Sequence, residues 1–301
     1  MTSRAKFMYR VREPLGVCMA SWKLGPANAY GNGIVLKAAE LSILYFANLI
    51  VEAGSLPGVI NIIKGHGSEA GSALVRHLQV DKIAFTGSTA TGKQIMKLAS
   101  NTLKNITLET GGKSPFIIFS DALLENACHW SAAETYHGPQ VSKQQFDKIL
   151  AYAKTAREQG ASILAGGTTV ASRPNNKGYF VALTILRNVT PEMTVYKEEI
   201  FGPFAVFVKF NSEQDVIRMA NETDYGLAAA LCTSNIVLTH SVAGKLKAGM
   251  IWINSNNSSD FRVPFGGVKQ SGIGRELGQA GLDAYSNVKA VHLNLNLDTE
   301  L

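Results

Sequence analysis

Cysteine, proline and charge are all scarce in this chain. Three cysteines among 301 residues cannot build a disulfide framework, and so small and odd a count points to a reducing compartment, with the cytoplasm as the default. Nine prolines against twenty-eight glycines exclude a proline-rich linker and fit an α/β enzyme with many turns that expose backbone. Charged residues make up only 17% while hydrophobic residues reach 46%. That balance excludes a disordered chain and leaves material for a sizeable core. No stretch approaches the ~18 apolar residues of a membrane span. The best candidate, Leu41 to Val51, is broken by Ser42 and Asn48, so no membrane partner is expected. The first thirteen residues lack the apolar run of a secretory leader. They hold four basic groups and no acid before Glu13, which leaves a mitochondrial presequence open. The net charge of +6 comes from basic residues that are scattered. No nucleic-acid partner is expected from it, and a phosphate-bearing cofactor accounts for the excess equally well.

At ~150 residues per domain, a chain of this length makes about two domains. The first half alternates helix and strand signals. Apolar residues at helical spacing predict a helix over Ala39 to Ala53, with Gly54 as its stop. Strands are predicted at Val59 to Ile63, Lys82 to Thr86, Ile106 to Glu109 and Pro115 to Phe119. Helices are predicted near Ser68 to His77, Thr91 to Asn101 and Asp121 to Ala133. Such alternation predicts a parallel, doubly wound sheet. A soft boundary falls around Gly111 to Pro115. Ser142 then caps a helix that ends at Gly160. Strands follow at Phe204 to Phe210, Leu227 to Cys232 and Met250 to Ile253, with helices near Glu213 to Asn221 and Ile236 to Leu246.

Three local patterns carry possible chemistry. The run Gly87-Ser88-Thr89-Ala90-Thr91-Gly92-Lys93 follows a strand and opens a helix, so it fits the spacing of a P-loop. A P-loop places Ser or Thr next, on the metal, and here position 94 is Gln. Asp121, after the strand ending at Phe119, could serve as the magnesium-binding acid of such a site. The milder reading is a helix start that holds another phosphate, and the bland one is a glycine turn with no ligand. Gly65, Gly67 and Gly71 form a loose relative of the dinucleotide fingerprint. Glu109 ends a strand before Gly111 and Gly112, a place from which a carboxylate can face a cleft and act as a general base.

Together these blocks resemble the NAD(P)-dependent aldehyde dehydrogenase superfamily. The run Leu108-Glu109-Thr110-Gly111-Gly112-Lys113-Ser114-Pro115 looks like its glutamate signature. Val35-Leu36-Lys37-Ala38-Ala39-Glu40, Phe85-Thr86-Gly87-Ser88-Thr89, Lys197-Glu198-Glu199-Ile200-Phe201-Gly202-Pro203, Asn221 to Leu227, and Pro264-Phe265-Gly266-Gly267 with Ser271-Gly272-Ile273-Gly274-Arg275-Glu276 occur in the family's order. The resemblance implies two Rossmann-like open parallel-sheet domains, both incomplete. Residues 1–111 would bind cofactor, 112–285 would form the catalytic-type domain, and 286–301 would be an oligomerisation strand and tail. It implies that Lys37 and Glu40 contact the adenosine ribose and that Gly87 and Ser88 hold the pyrophosphate. Glu199 would bond the nicotinamide ribose, with Phe201 beside the ring. Glu109 would activate the water that hydrolyses a thioester. The implied substrate is a small-molecule aldehyde. The cofactor is NAD or NADP, with Glu40 favouring NAD by repelling a 2′-phosphate.

The sequence also departs from the family. The family's nucleophilic cysteine sits in a block that should precede Gly138-Pro139-Gln140-Val141, but here Glu134-Thr135-Tyr136-His137 joins that segment directly. Its Pro-Trp-Asn block, whose Asn serves the oxyanion, should lie between Cys18 and Trp22. Cys128 and Cys232 read as packing residues, and Cys18 as part of a Gly-Val-Cys strand. Cuts this clean suggest skipped exons, a faulty gene model or a decaying gene. Three readings follow: an aldehyde-oxidising enzyme by descent, an inactive relative that binds cofactor and forms homo- or hetero-oligomers, and a P-loop NTPase.

Overall fold

The computed structural model of the chain describes residues 14–38, 41–133, 140–170 and 178–294. Glu40, the basic residues before Glu13 and the His137–Gly138 junction lie outside the described residues.

Helix α1 (Pro14–Ala29) opens the described chain. The strand expected through Gly16-Val17-Cys18 is not formed, because α1 runs unbroken past Trp22. Between Cys18 and Gly25 the sequence has no glycine, proline, asparagine or aspartate, so a helix carrying Trp22 propagates backwards at little cost. Ala20 and Leu24 then sink into an apolar cluster with Ala38 and Ile43.

The order continues as β1 (Ile34–Lys37), α2 (Leu41–Glu52), β2 (Ile60–Ile63), a π turn at Gly67–Gly71, α3 (Ser72–Arg76), β3 (Lys82–Thr86), α4 (Thr89–Ala99), β4 (Asn105–Glu109), β5 (Phe116–Ile118), α5 (Leu124–Ala133) and α6 (Lys143–Glu158). It then runs β6 (Ser162–Ala165), β7 (Thr184–Arg187), α7 (Thr194–Lys197), β8 (Phe204–Val206), α8 (Glu213–Asn221), β9 (Ala228–Cys232), α9 (Ile236–Ala243), β10 (Met250–Ile253), β11 (Gly272–Ile273) and α10 (Gly278–Asp283).

The fold class holds: α/β, with open sheets built around parallel pairs and helices between the strands. The first-half strands, however, do not share one sheet. β1 and β2 stand as a parallel pair, while β3, β4 and β11 form a separate sheet. With residues 14–18 wound into α1, no described strand lies between those pairs. A second parallel sheet runs β10, β9, β5, and β6, β7, β8 make a mixed one. The chain passes from the β4 sheet to the β5 sheet between Glu109 and Phe116, and it returns at β11, antiparallel on Leu108 and Glu109.

The central core lies around β9, where Leu231 and Val242 are fully buried against Ile117 and Val216. Each such side chain contributes about 1.5–3 kcal/mol by leaving water. Caps fix the helix starts: Ser142, Ser212 and Asn235 accept first-turn N–H bonds of α6, α8 and α9. Cys232 is buried as expected, whereas Cys128 is exposed. It sits one residue beyond the fully buried Ala127, so about 100° of helical turn carries it to the outside. The tail after Ser286 forms no described strand, and Val288, Val291 and Leu293 stand in solvent. No helix among the described residues is long and apolar enough to cross a membrane.

Candidate active site

The parallel register of β3 and β4 sets Thr86 beside Glu109 at the same end of the sheet. Thr86 donates its hydroxyl proton to Glu109 Oε2 at 3.0 Å. The same hydroxyl accepts from Lys23 Nζ of α1 at 2.8 Å. Lys23 also pairs with Glu276 at 2.6 Å, with side chains 13% and 3% exposed. Four residues from four parts of the chain therefore form one buried, connected polar group.

Its electrostatics favour a proton acceptor. Burial pushes the Glu109 carboxyl above the usual carboxylate range, and the Glu276 charge pushes it further. Lys23 and the Thr86 bond pull it partly back. A carboxylate made more basic by burial, yet held by one hydrogen bond, is suited to take a proton from water.

The turn after Glu109 is fixed from several sides. Thr110 donates its backbone N–H to Ser271 O at 3.0 Å and its hydroxyl to Gln270 O at 2.7 Å. Gly111 N donates to Thr89 Oγ1 at 3.2 Å, and Gly112 N donates to Glu199 Oε1 at 2.9 Å. A Cβ at Gly111 would stand 2.9 Å from both Glu199 and Tyr225, which is why glycine is needed there. Lys113 is buried on the same turn and donates to Val195 O at 2.8 Å. Burial lowers its pKa to about 8, against the pull of Glu199 and Glu198.

Gly87 and Ser88 join this group from the other side. Gly87 N donates to Glu109 O at 3.1 Å. Ser88 Oγ caps α4 by accepting from Thr91 N at 3.2 Å. The start of α4 is exposed and carries no acid in its first turn, so its positive dipole end is open to an anion.

The structure thus gathers Glu109, Gly87, Ser88 and Glu199. Phe201 lies two residues beyond Glu199 and is 56% exposed, with its carbonyl accepting from Gln145 Nε2 at 2.7 Å. Lys37 ends β1 on the other sheet. Lys23, Thr86 and Glu276 were not singled out by sequence reasoning, although each lies in or beside a quoted block. A buried charge matters here through a partner far along the chain, and spacing carries no sign of that.

The P-loop reading gains no support. Gly92 is required because a Cβ there would come within 2.8 Å of the Thr110 methyl, so it seats α4 on the β4 end. Asp121 spends its carboxylate on Thr233 and Ser234, accepting both hydroxyls and the Ser234 N–H at 2.8–3.0 Å. Among the described residues no cluster of three His, Cys, Asp or Glu could hold a metal.

Comparison with known proteins agrees with this geometry. Residues 3–136 and 129–291 match the model of the aldehyde dehydrogenase family, in two pieces that overlap at 129–136. An aldehyde dehydrogenase of Alternaria alternata is 44% identical over 354 aligned positions, which cover 98% of this chain and 70% of the relative. Since 98% of 301 residues is about 295, about 59 aligned positions of that relative have no counterpart here. The NAD+ complex of a Bacillus cereus aldehyde dehydrogenase superposes with a TM-score of 0.85 at 43% identity, covering 92% of this chain and 65% of that one. A betaine aldehyde dehydrogenase of Staphylococcus aureus with NAD+ gives 0.85 at 36% identity, covering 88% and 62%. This chain therefore spans a little under two thirds of those solved chains. On these matches, the chain belongs to the aldehyde dehydrogenase family.

Proposed function

We propose that this chain binds a nicotinamide dinucleotide, NAD in preference to NADP, and keeps the water-activating half of aldehyde oxidation without the thiol half. The observation that carries the reading is the buried Lys23–Thr86–Glu109 chain ending in Glu276, beside the open start of α4. The solved relatives from Bacillus cereus and Staphylococcus aureus hold NAD+. The residues here fit it: α4 is eleven residues long, its first turn is free of acid, and it begins at the exposed Ser88. Gly87 and Ser88 would hold the pyrophosphate, Glu199 and Phe201 would serve the nicotinamide end, and Lys37 with Glu40 the adenosine ribose. When bound, the group supplies a hydride acceptor.

Residues 1–111 would then form the cofactor domain and 112–285 the catalytic-type domain. Glu109 holds the proton taken from water. Thr86 orients its carboxyl, and Lys23 with Glu276 sets how tightly the proton is held. Family chemistry needs a thiolate to capture the aldehyde carbon first. Of the three thiols, Cys232 is buried in β9, and Cys18 and Cys128 lie exposed on helices. The broken family match around 129–136 supports an absent nucleophile segment, and α1 running through Cys18 to Trp22 supports an absent oxyanion Asn. Losing one oxyanion donor costs ~10²–10³ in rate, and losing the nucleophile removes the covalent route. The exposed Val288, Val291 and Leu293 support assembly with copies of itself or with intact relatives.

Titrating NAD against intrinsic fluorescence tests the reading, with Trp22, edge-on to Phe265 with ring centres 4.8 Å apart, as the reporter. The expected result is saturable quenching with no rise in nicotinamide absorbance on adding aldehyde. Aldehyde-dependent absorbance that vanishes in Glu109→Gln, with a thioester trapped on any of the three thiols, would overturn it.

A further inference from the structure

One side chain ties the end of α1 to the segment after α10. Asn32 Nδ2 donates to Ala27 O and to Tyr285 O, each at 3.1 Å. Asn32 N donates to the same Ala27 carbonyl at 3.0 Å. A single residue thus closes the last turn of α1 and holds Tyr285 against it. Gly33 follows, and Asn32–Gly33 is the sole Asn-Gly pair in the sequence. Both residues are exposed, and neither lies in a helix or strand. A Cβ at Gly33 would meet nothing within 4 Å. The Gly33 N–H donates to no backbone carbonyl among the described residues. A backbone nitrogen so placed, with no side chain to shield it and open space around the turn, can reach the amide carbon of the preceding side chain. Asn61 supplies the contrast. Its Nδ2 also donates to two carbonyls, Ile34 O at 3.2 Å and Gly58 O at 2.8 Å. It sits within β2, however, and the β-branched Ile62 follows it.

We propose that Asn32–Gly33 is a self-modifying site at which water converts the asparagine to aspartate or isoaspartate, and that the change releases Tyr285 from α1. The Gly33 nitrogen loses its proton to water and attacks Asn32 Cγ. A bond forms between that nitrogen and Cγ, the Cγ–Nδ2 bond breaks, and Nδ2 departs as ammonia. Water then opens the five-membered imide, at Cγ to give aspartate or at the main-chain carbonyl carbon of residue 32 to give isoaspartate. One water is consumed for each ammonia released, and nothing is oxidised or reduced. Either product puts a carboxylate where a donor faced two carbonyl oxygens. Both side-chain bonds are lost and like partial charges meet. Isoaspartate also adds a carbon to the backbone just ahead of β1, where Ile34 N donates to Val59 O at 2.8 Å.

The test incubates the full chain warm at neutral pH and maps its peptides by mass spectrometry over days. Aspartate and isoaspartate are expected to accumulate at residue 32 many-fold faster than at Asn61. Gly33→Ala has room for its methyl group and is expected to slow the conversion many-fold while the chain melts as the parent does. Conversion at Asn32 no faster than at Asn61, or unchanged in Gly33→Ala, would overturn the site. Asn32→Asp then reads the consequence. The amides of Tyr285 and Ser286, which donate to Leu282 O and Asp283 O, are expected to exchange with solvent several-fold faster than in the parent. Unaltered exchange at both would overturn the release of Tyr285.

Discussion

At the scale of single residues, the buried ion pair between Lys23 and Glu276 sets the terms for everything around it. Removing one partner strands the other charge away from water, which costs about 3–5 kcal/mol in comparable pairs. Lys23→Met should therefore lower the melting temperature sharply, and Lys23→Met with Glu276→Leu should recover much of the loss, as calorimetry would show. Glu109 carries a cost of its own. Its carboxyl is raised in the folded chain, so the folded state holds that proton more tightly than the unfolded state does. Its contribution to stability is thus present below the ordinary carboxylate range and is lost as pH rises through the raised midpoint. Glu109→Gln has no such dependence. Urea denaturation should find the variant gaining on the parent chain from acid to neutral pH, while the two converge in acid.

At the scale of elements, the two-residue strand β11 matters more than its length suggests. Gly272 has φ +136°, and a Cβ there would lie 2.0 Å from Leu108 O. Backbone atoms in a sheet cannot yield as a side chain can, so Gly272→Ala should cost more than about 2 kcal/mol and should disturb the Glu109 turn, read as a drop in the denaturation midpoint. The elements also show where sequence reasoning succeeds. β3, β10 and α8 fall on the expected residues, because their apolar pattern and, for α8, the Ser212 cap are local signals. The strand at Gly16-Val17-Cys18 is implied by the resemblance alone, and here the segment runs straight into the helix carrying Trp22 and is wound into α1. β6 and β7 escaped notice because each has four residues and Gly166 and Gly167 lie between them. Glu109 was legible from its strand end and glycines. Its partners were not, since Lys23 and Glu276 stand 86 and 167 positions from it and meet only through the fold.

At the scale of the whole molecule, the parts differ in how well they are held. The β9 sheet has Leu231 and Val242 fully buried, whereas β1 and β2 form a two-stranded sheet with Val35 47% exposed and with Leu56 and Val51 74% exposed nearby in sequence. A two-stranded sheet is marginal without further cover. Hydrogen exchange should therefore find the amides of Leu36 and Ile62 exchanging at least ~10-fold faster than those of Ala230 and Leu231, following local opening. Equal protection would show that the β1–β2 pair is as firmly held as the core.

The antiparallel contact of β11 with β4 also has a consequence for biosynthesis. The strand that bears Glu109 is made well before its β11 cover and before Glu276, the partner of Lys23, which lies 167 residues further along the chain. A nascent polypeptide leaving the ribosome carries Lys23 and Glu109 together long before either meets Glu276. The proton-accepting centre is finished only after Glu276, 167 residues downstream of Glu109, has been made.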